Sequence, residues 1–184
     1  MKAFITSIGE PTTELCKWSL ERQGIEAEVV KGDDTFNAKL EYIYHEANDD
    51  FLRVDADVIV NRNLASLIAE CPEEIWWYQS MSFDWWRQDT GYAGVQYIKK
   101  QCLPFLRKHI SEVQHLDRPE SLMYRLEEFL NPRRCASSGI LCGLHGWGQN
   151  DADRVEALKR KRNQMDNYDF ELARRLNEFQ TTGK

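Results

Sequence analysis

The chain has 184 residues, 42% of them hydrophobic and 29% charged, which favours one globular domain with a substantial core. A formal net charge of −6 lacks the basic footprint of a general nucleic-acid binder. No apolar run approaches the ~20 residues that span a bilayer, and the first residues, MKAFITSIGEPTTEL, are too weakly apolar for a secretory signal, so the expected location is the cytoplasm.

In chain order, Lys2 to Ile8 alternates weakly and ends at Gly9, as a first strand does. Pro11 and Thr12 open a helix whose apolar positions are Leu15, Trp18 and Leu20 and which stops near Gly24. Glu26 to Val30 is a second strand, closed by Gly32-Asp33-Asp34, and a second helix covers Phe36 to Ala47 with Leu40, Ile43 and Tyr44 on one face. A third strand, Phe51 to Val60, carries Asp55 and Asp57. This βαβαβ order predicts an α/β fold with right-handed crossovers. Beyond it come a short helix from Leu64 to Glu70, an aromatic strand from Ile75 to Gln79, and a loop or lid from Ser80 to Thr90. A strand from Gly91 to Ile98 follows, then helices at Leu103 to Ile110 and Glu120 to Phe129, and an apolar strand from Ile140 to Leu144. A helical tail runs from Ala152 to Phe179. In the aromatic strand, Trp76 and Tyr78 are expected on one face and Trp77 on the other, at least partly as core.

Five cysteines, Cys16, Cys71, Cys102, Cys135 and Cys142, are odd in number and form no CxxC pair. They read as free, mostly buried thiols rather than a disulfide framework or zinc site. Lys159-Arg160-Lys161-Arg162 is the densest basic run, a solvated helix face or an anion site.

The chemistry centres on Asp55 and Asp57. Residues i and i+2 of a strand share a side, and two bare carboxylates side by side are costly in a buried sheet. At a strand end they suit a divalent cation, since Mg²⁺ and Mn²⁺ prefer carboxylate oxygens and often bridge phosphates. The alternative is a strand running into an acidic turn. His145 follows the last apolar strand among Gly143, Gly146 and Gly148, where an imidazole could complete the metal site. Arg53, Lys159 and Arg162 are candidate partners for a charged leaving group. Asp84, Asp89 and Glu120 are candidate general bases, with Asp89 or Asp84 favoured. Trp85 and Trp86 flank Asp84 and Arg87 and could stack on an acceptor sugar or base.

The series VDADVIV, GYAGVQYIKK and LHGWG, in that order behind a strand and a helix, resembles the nucleotide-sugar-dependent glycosyltransferases of the GT-A fold. The resemblance implies a single Rossmann-like α/β/α domain with a mixed, mostly parallel central sheet. It implies a nucleotide-binding half over about 1–60, an acceptor and metal-completing half over about 61–150, and a helical tail over 151–184. Asp55 and Asp57 match the DxD motif that holds Mn²⁺ or Mg²⁺ on the donor's diphosphate, and His145 matches a late metal ligand. Thr6, Asp33, Asn37, Lys39, Asp55, Ala56 and Gly94 match nucleotide-sugar-binding positions, with Gly94 leaving room for the sugar. The implied reaction moves a hexosyl or pentosyl group from a nucleoside diphosphate sugar to a saccharide, protein, lipid-linked glycan or modified nucleic-acid base. The chain is short for the family, so acceptor-binding insertions are few or come from a partner. Two alternatives are a HAD-type phosphatase, for which DADVI is a strand-end aspartate pair, and a non-catalytic binding module of the same fold.

Overall fold

The computed structural model describes residues 1–31, 35–85, 87–113 and 134–147. The chain divides into two compact units, Met1–Trp147 and Gly148–Lys184, and all described residues lie in the first. The helices expected at Glu120 to Phe129 and Ala152 to Phe179, and with them Glu120, Lys159 and Arg162, fall outside the described residues, as do Asp33 and Trp86.

Seven strands form one sheet: β1 (Lys2–Thr6), β2 (Glu26–Val30), β3 (Phe51–Asp55), β4 (Val58–Val60), β5 (Trp77–Asp84), β6 (Asp89–Ile98) and β7 (Cys135–His145), in the spatial order β2-β1-β3-β6-β5-β7-β4. β1 pairs parallel with β2 and β3, and β5 pairs parallel with β7; β6 is antiparallel to β3 and β5, and β4 to β7. Five of these seven strands therefore run one way, which makes the sheet mixed and mostly parallel.

Helices α1 (Thr13–Glu21) and α2 (Phe36–Glu46) are the crossovers between β1, β2 and β3; α3 (Leu64–Ala69) and α4 (Leu103–His109) follow. Thr35 caps α2 by accepting a hydrogen bond from the Ala38 N–H. α4 opens with a proline in its first turn and closes with Arg107, Lys108 and His109 at its negative end. Buried core residues lie on both faces of the sheet. Phe4, Phe51, Trp77 and Ile98 pack with Leu40, Ile43 and Tyr44 of α2 and Leu103 and Leu106 of α4. Ala3, Ile5, Leu52, Val54 and Val95 pack with Leu20 of α1 and Leu64 and Leu67 of α3. The alternation along β1 and β3 thus feeds two cores, giving three layers, α/β/α.

Four expectations need correction. Phe51 to Val60 is not one strand: Ala56 and Asp57 form a turn between β3 and β4. The Ala56 N–H donates to the Thr6 carbonyl, ending the pairing with β1, and the Asp57 carbonyl accepts from the Gly146 N–H beside β7. The acidic-turn alternative therefore describes the local backbone. Ser80 to Thr90 is not a loop, since Ser80 to Asp84 continue β5 and Asp89 opens β6, with Trp85, Arg87 and Gln88 in turn conformation between them. β7 begins at Cys135, well before Ile140. Trp76 lies just before β5 and packs with Trp77 against the α2–α4 core, whereas Tyr78 packs on the other side. The five cysteines are free, as expected.

The β3–β4 turn forces a curl. From Asp55 to Val58 the chain reaches at most about 11 Å. A flat sheet would put β4 about 19 Å from β3, because β6, β5 and β7 lie between them. The strands from β3 to β4 must therefore wrap round, helped by irregular pairing between Gln79 and Ser82 on β5. Val58 fills the inside of the curl. A Cβ built at Gly94 would stand 2.3 Å from Val58 Cγ2, and one at Gly143 would stand 2.6 Å from Val58 Cγ1.

Candidate active site

The curl brings the carboxyl ends of β3, β5 and β7 together. Asp84 is in register with His145 on β7 and with Asp89 on β6. Directly opposed residues share a face of the sheet, so Asp84, Asp89 and His145 present to one side. His145 also pairs with Val58 across β4, next to Asp57.

The centre is a carboxylate–imidazole–carboxylate array. His145 Nε2 lies 3.2 Å from Asp57 Oδ2, and its Nδ1 lies 3.2 Å from Asp84 Oδ2. The other Asp84 oxygen accepts the Arg87 N–H at 3.0 Å. Burial by itself would lower the imidazole pKa, but the hydrogen bonds and charges of Asp57 and Asp84 raise it to about 10. At neutral pH the ring is therefore an imidazolium held between two carboxylates.

Asp55 belongs to a second network. Its Oδ1 accepts from Arg53 Nη1 and from Thr6 Oγ1, both at 3.0 Å. Arg53 is 3% exposed, donates through Nε to Gln96 Oε1 at 2.7 Å, and lies over the Phe36 ring. Asp55 is thus the counter-ion of a buried guanidinium, and 30% of its side chain stays open. Its Oδ2 points towards the glycine at position 94.

The residues matched to nucleotide-sugar-binding positions lie in the wall behind this pair. Lys39 is buried, and its ammonium donates to the Ser7 carbonyl at 2.7 Å, tying α2 to the β1–α1 loop. Asn37 is 9% exposed in the first turn of α2. Ala56 is buried; its N–H donates to the Thr6 carbonyl and its own carbonyl accepts from the Thr12 hydroxyl. The space beside Gly94, expected to admit a sugar, is occupied by Val58, so the glycine's smallness serves the curl. Trp85 is half-exposed at the end of β5.

Asp57 and His145 fit a divalent cation as a pair. Two cis donors of a six-coordinate Mg²⁺ stand about 3 Å apart, given its metal–oxygen distance near 2.1 Å, and these two atoms are 3.2 Å apart. Asp84 stands behind Nδ1, where a carboxylate orients a histidine that ligates a metal. Coordination requires the Nε2 proton to leave. Among the described residues no three His, Cys, Asp or Glu side chains are gathered as a complete metal cage, but Mg²⁺ is commonly held by one or two protein carboxylates plus substrate phosphates and water.

Reading the sequence for this site missed the role of Asp84. The signal was present as the period-two alternation of Gln79, Met81 and Phe83 against Ser80, Ser82 and Asp84, which marks a strand whose polar face turns into the curl.

No protein-family model matches the sequence, and no characterised protein sequence matches it. Solved structures do match. A glycosyltransferase involved in glycosylation of the major capsid of PBCV-1 is 16% identical, with a TM-score of 0.58 over 86% of this chain and 98% of its own. The 4-diphosphocytidyl-2C-methyl-D-erythritol synthase of Anaerococcus prevotii is 10% identical, with a TM-score of 0.57 over 89% and 98%. A glucose-1-phosphate thymidylyltransferase of Bacillus anthracis, described as putative and solved with sucrose, is 10% identical, with a TM-score of 0.52 over 92% and 97%. Among the described residues no helix is long and apolar enough to cross a membrane. The chain has the GT-A-like, Rossmann-type α/β fold that these glycosyl- and nucleotidyltransferases share.

Proposed function

We propose that this chain transfers a sugar from a nucleoside diphosphate sugar to an acceptor hydroxyl, with Mn²⁺ or Mg²⁺ on the diphosphate. The observation that carries the reading is the Asp57–His145–Asp84 array, assembled from three strand ends at the carboxyl edge of the sheet, where open α/β sheets bind ligands. Asp57 Oδ2 and His145 Nε2 would be the cation's donors, with Asp84 fixing the ring. A cation held there would supply Lewis-acid stabilisation of the charge on the diphosphate leaving group. Asp55, backed by Arg53 and Thr6, lines the donor side; Asn37, Lys39, Ala56 and Gly94 hold that wall in place.

In the transfer, the bond between the anomeric carbon and the diphosphate oxygen breaks, a bond to the acceptor oxygen forms, and the acceptor proton must leave. Asp84 is committed to His145 and the Arg87 N–H. Asp89 is exposed on the same face, and its Oδ1 accepts the adjacent Thr90 N–H. Asp89 is therefore the base for an inverting course. A positioned base contributes on the order of 10²- to 10⁴-fold, so Asp89→Asn is expected to lose transfer by that factor while keeping donor binding. Asp84→Asn is expected instead to weaken metal-dependent donor binding by about 10- to 100-fold, as loss of a ligand's outer partner does. Donor titrations and product mass spectrometry on both variants separate the two roles.

The phosphatase alternative needs its aspartate pair on the first strand, whereas Asp55 and Asp57 lie at the end of the third. A nucleotidyltransferase would bring a highly charged nucleoside triphosphate to the loop after β1. That loop, Ser7 to Thr12, holds Glu10 and no Lys or Arg, which favours the less charged sugar nucleotide. The test is a thermal-shift panel of nucleoside diphosphate sugars with and without Mn²⁺. A Mn²⁺-dependent rise in melting temperature that vanishes in Asp57→Ala is expected. No metal-dependent shift with any sugar nucleotide would refute the reading.

A further inference from the structure

Between Asp55 and Val60 the chain exchanges one set of sheet neighbours for another, so some of its backbone groups need partners outside the ladder. α1 supplies three. The Thr12 hydroxyl donates to the Ala56 carbonyl at 3.0 Å, the Cys16 thiol donates to the Asp55 carbonyl at 3.7 Å, and Ser19 Oγ accepts the Val60 N–H at 3.1 Å. Positions 12, 16 and 19 share one helix face, and this polar face is buried. Burial, with Asp55 and Asp57 nearby, pushes the Cys16 pKa up, so the thiol stays a donor.

Thr12 bears most directly on the site. It stands at the N-cap of α1, where a threonine hydroxyl ordinarily accepts an N–H from the first turn of the helix. It makes no such bond here. The hydroxyl is turned instead to Ala56, 44 residues along the chain. The Ala56 carbonyl and the Asp57 N–H belong to one planar peptide, so Thr12 fixes that plane. The next plane is fixed by the Gly146 N–H, which donates to the Asp57 carbonyl at 2.9 Å. Asp57 sits between the two planes with its φ and ψ set from both sides. The direction of its carboxylate towards His145 Nε2 follows from them.

We propose that Thr12 is a positioning residue for Asp57, the hydroxyl through which α1 aims the carboxylate that would hold the cation. This rests on the metal-dependent transferase reading above and adds a residue that acts through Asp57. Thr12 is 4% exposed, so its part is played from behind the turn. The Gly146 anchor joins main chain to main chain, whereas the Thr12 anchor rests on a side-chain oxygen that substitution can remove. A peptide plane released to rotate carries the Asp57 carboxylate away from His145, and a binding constellation works only when its groups are held within about 0.5 Å.

Thr12→Val keeps the shape of the side chain and removes the donor, while Thr12→Ser keeps the donor. Two readouts on the whole chain test the assignment. Amide hydrogen exchange without metal is expected to be faster at Gly146 in Thr12→Val and parental in Thr12→Ser. Mn²⁺ is then titrated against melting temperature with a panel of nucleoside diphosphate sugars present. Thr12→Val is expected to need about tenfold more Mn²⁺, the scale on which a supporting bond behind a ligand acts, and Thr12→Ser to match the parent. In an Asp57→Ala background Thr12→Val should add no further loss of the Mn²⁺ response. Ser19→Ala releases the Val60 N–H on the same helix face and is expected to lower the melting temperature with the Mn²⁺ midpoint unchanged. If Thr12→Val does not fold, Thr12→Cys, a weaker donor, takes its place in both readouts. A parental Mn²⁺ midpoint in Thr12→Val, equal shifts in Thr12→Val and Ser19→Ala, or no rescue by Thr12→Ser overturns the role of Thr12 and leaves the transferase reading standing. If the parent shows no Mn²⁺ response, the transferase reading falls. Exchange at Gly146 then decides Thr12: faster in Thr12→Val alone upholds it, and unchanged rates overturn it.

Discussion

Gly94→Ala is expected to lower the stability of the described unit by about 3–5 kcal/mol, a core-overpacking cost joined to left-handed backbone strain. Gly94 has a φ of +72°, and a methyl group there would meet Val58 Cγ2 at 2.3 Å. The obstacle is hard to move, because Val58 is fully buried and its other methyl sits against Gly143. At roughly 2–4 °C per kcal/mol for a domain of this size, the melting temperature should fall by about 10 °C or more. The double variant Val58→Ala/Gly94→Ala removes the collision and leaves the backbone strain, so it should be less destabilised than the two single variants summed. A Gly94→Ala protein that melts like the parent would mean that β4 does not pack inside the curl. Then the convergence of β3, β5 and β7 on which the site depends would fail as well.

What could be read from the sequence was what short-range pattern encodes. β1, β2, α2 and β3 follow from alternation, helical spacing and capping signals, and α1 from its start and stop signals, although its buried face is Thr13, Cys16, Ser19 and Leu20 and the expected apolar position Trp18 is 50% exposed. The curl could not be read that way. It depends on β4 pairing with β7, more than eighty residues later, and a three-residue strand such as Val58–Val60 has too little pattern to announce its partner. The β5–β6 hairpin was hidden for a related reason: its polar positions, Ser80, Ser82 and Asp84, are buried, so alternation with partly exposed Met81 and Phe83 looks like a mixed surface loop. Reading that stretch as a loop made Asp84 a candidate general base, whereas its carboxylate is buried against His145. The meeting of Asp57 with His145 was foreseeable, since both follow strands in a sheet that gathers its carboxyl ends. Lys39 and Thr6 show the limit of local reading. A lysine at a helix start and a threonine at a strand end have the same letters whether they touch a ligand or the wall behind it.

The two aspartates of the VDADVIV segment should separate by experiment, because the turn at Ala56 and Asp57 gives them different partners. Asp55→Ala leaves Arg53 buried with Gln96 as its remaining polar partner. Stranding one half of a buried ion pair costs about 3–5 kcal/mol; with 30% of the Asp55 side chain open to water, the lower part of that range is expected. Asp55→Asn keeps an acceptor for Arg53 and Thr6 and should lose about 1 kcal/mol. Asp57→Ala removes a partner of the His145 imidazolium while Asp84 still holds the ring, so its melting temperature should fall less than that of Asp55→Ala. Its effect should appear instead in the Mn²⁺-dependent response to sugar nucleotides, which Asp57→Ala abolishes and Asp55→Asn retains at least in part. Denaturant unfolding and metal titration of the three variants read both axes. Equal stability losses in Asp55→Ala and Asp57→Ala, or loss of the metal response in Asp55→Asn alone, would show that the pair acts as one metal-binding unit and that the Arg53 pairing is incidental. The division expected here makes Asp55 the electrostatic plug of the sheet and Asp57 the side chain that faces the chemistry.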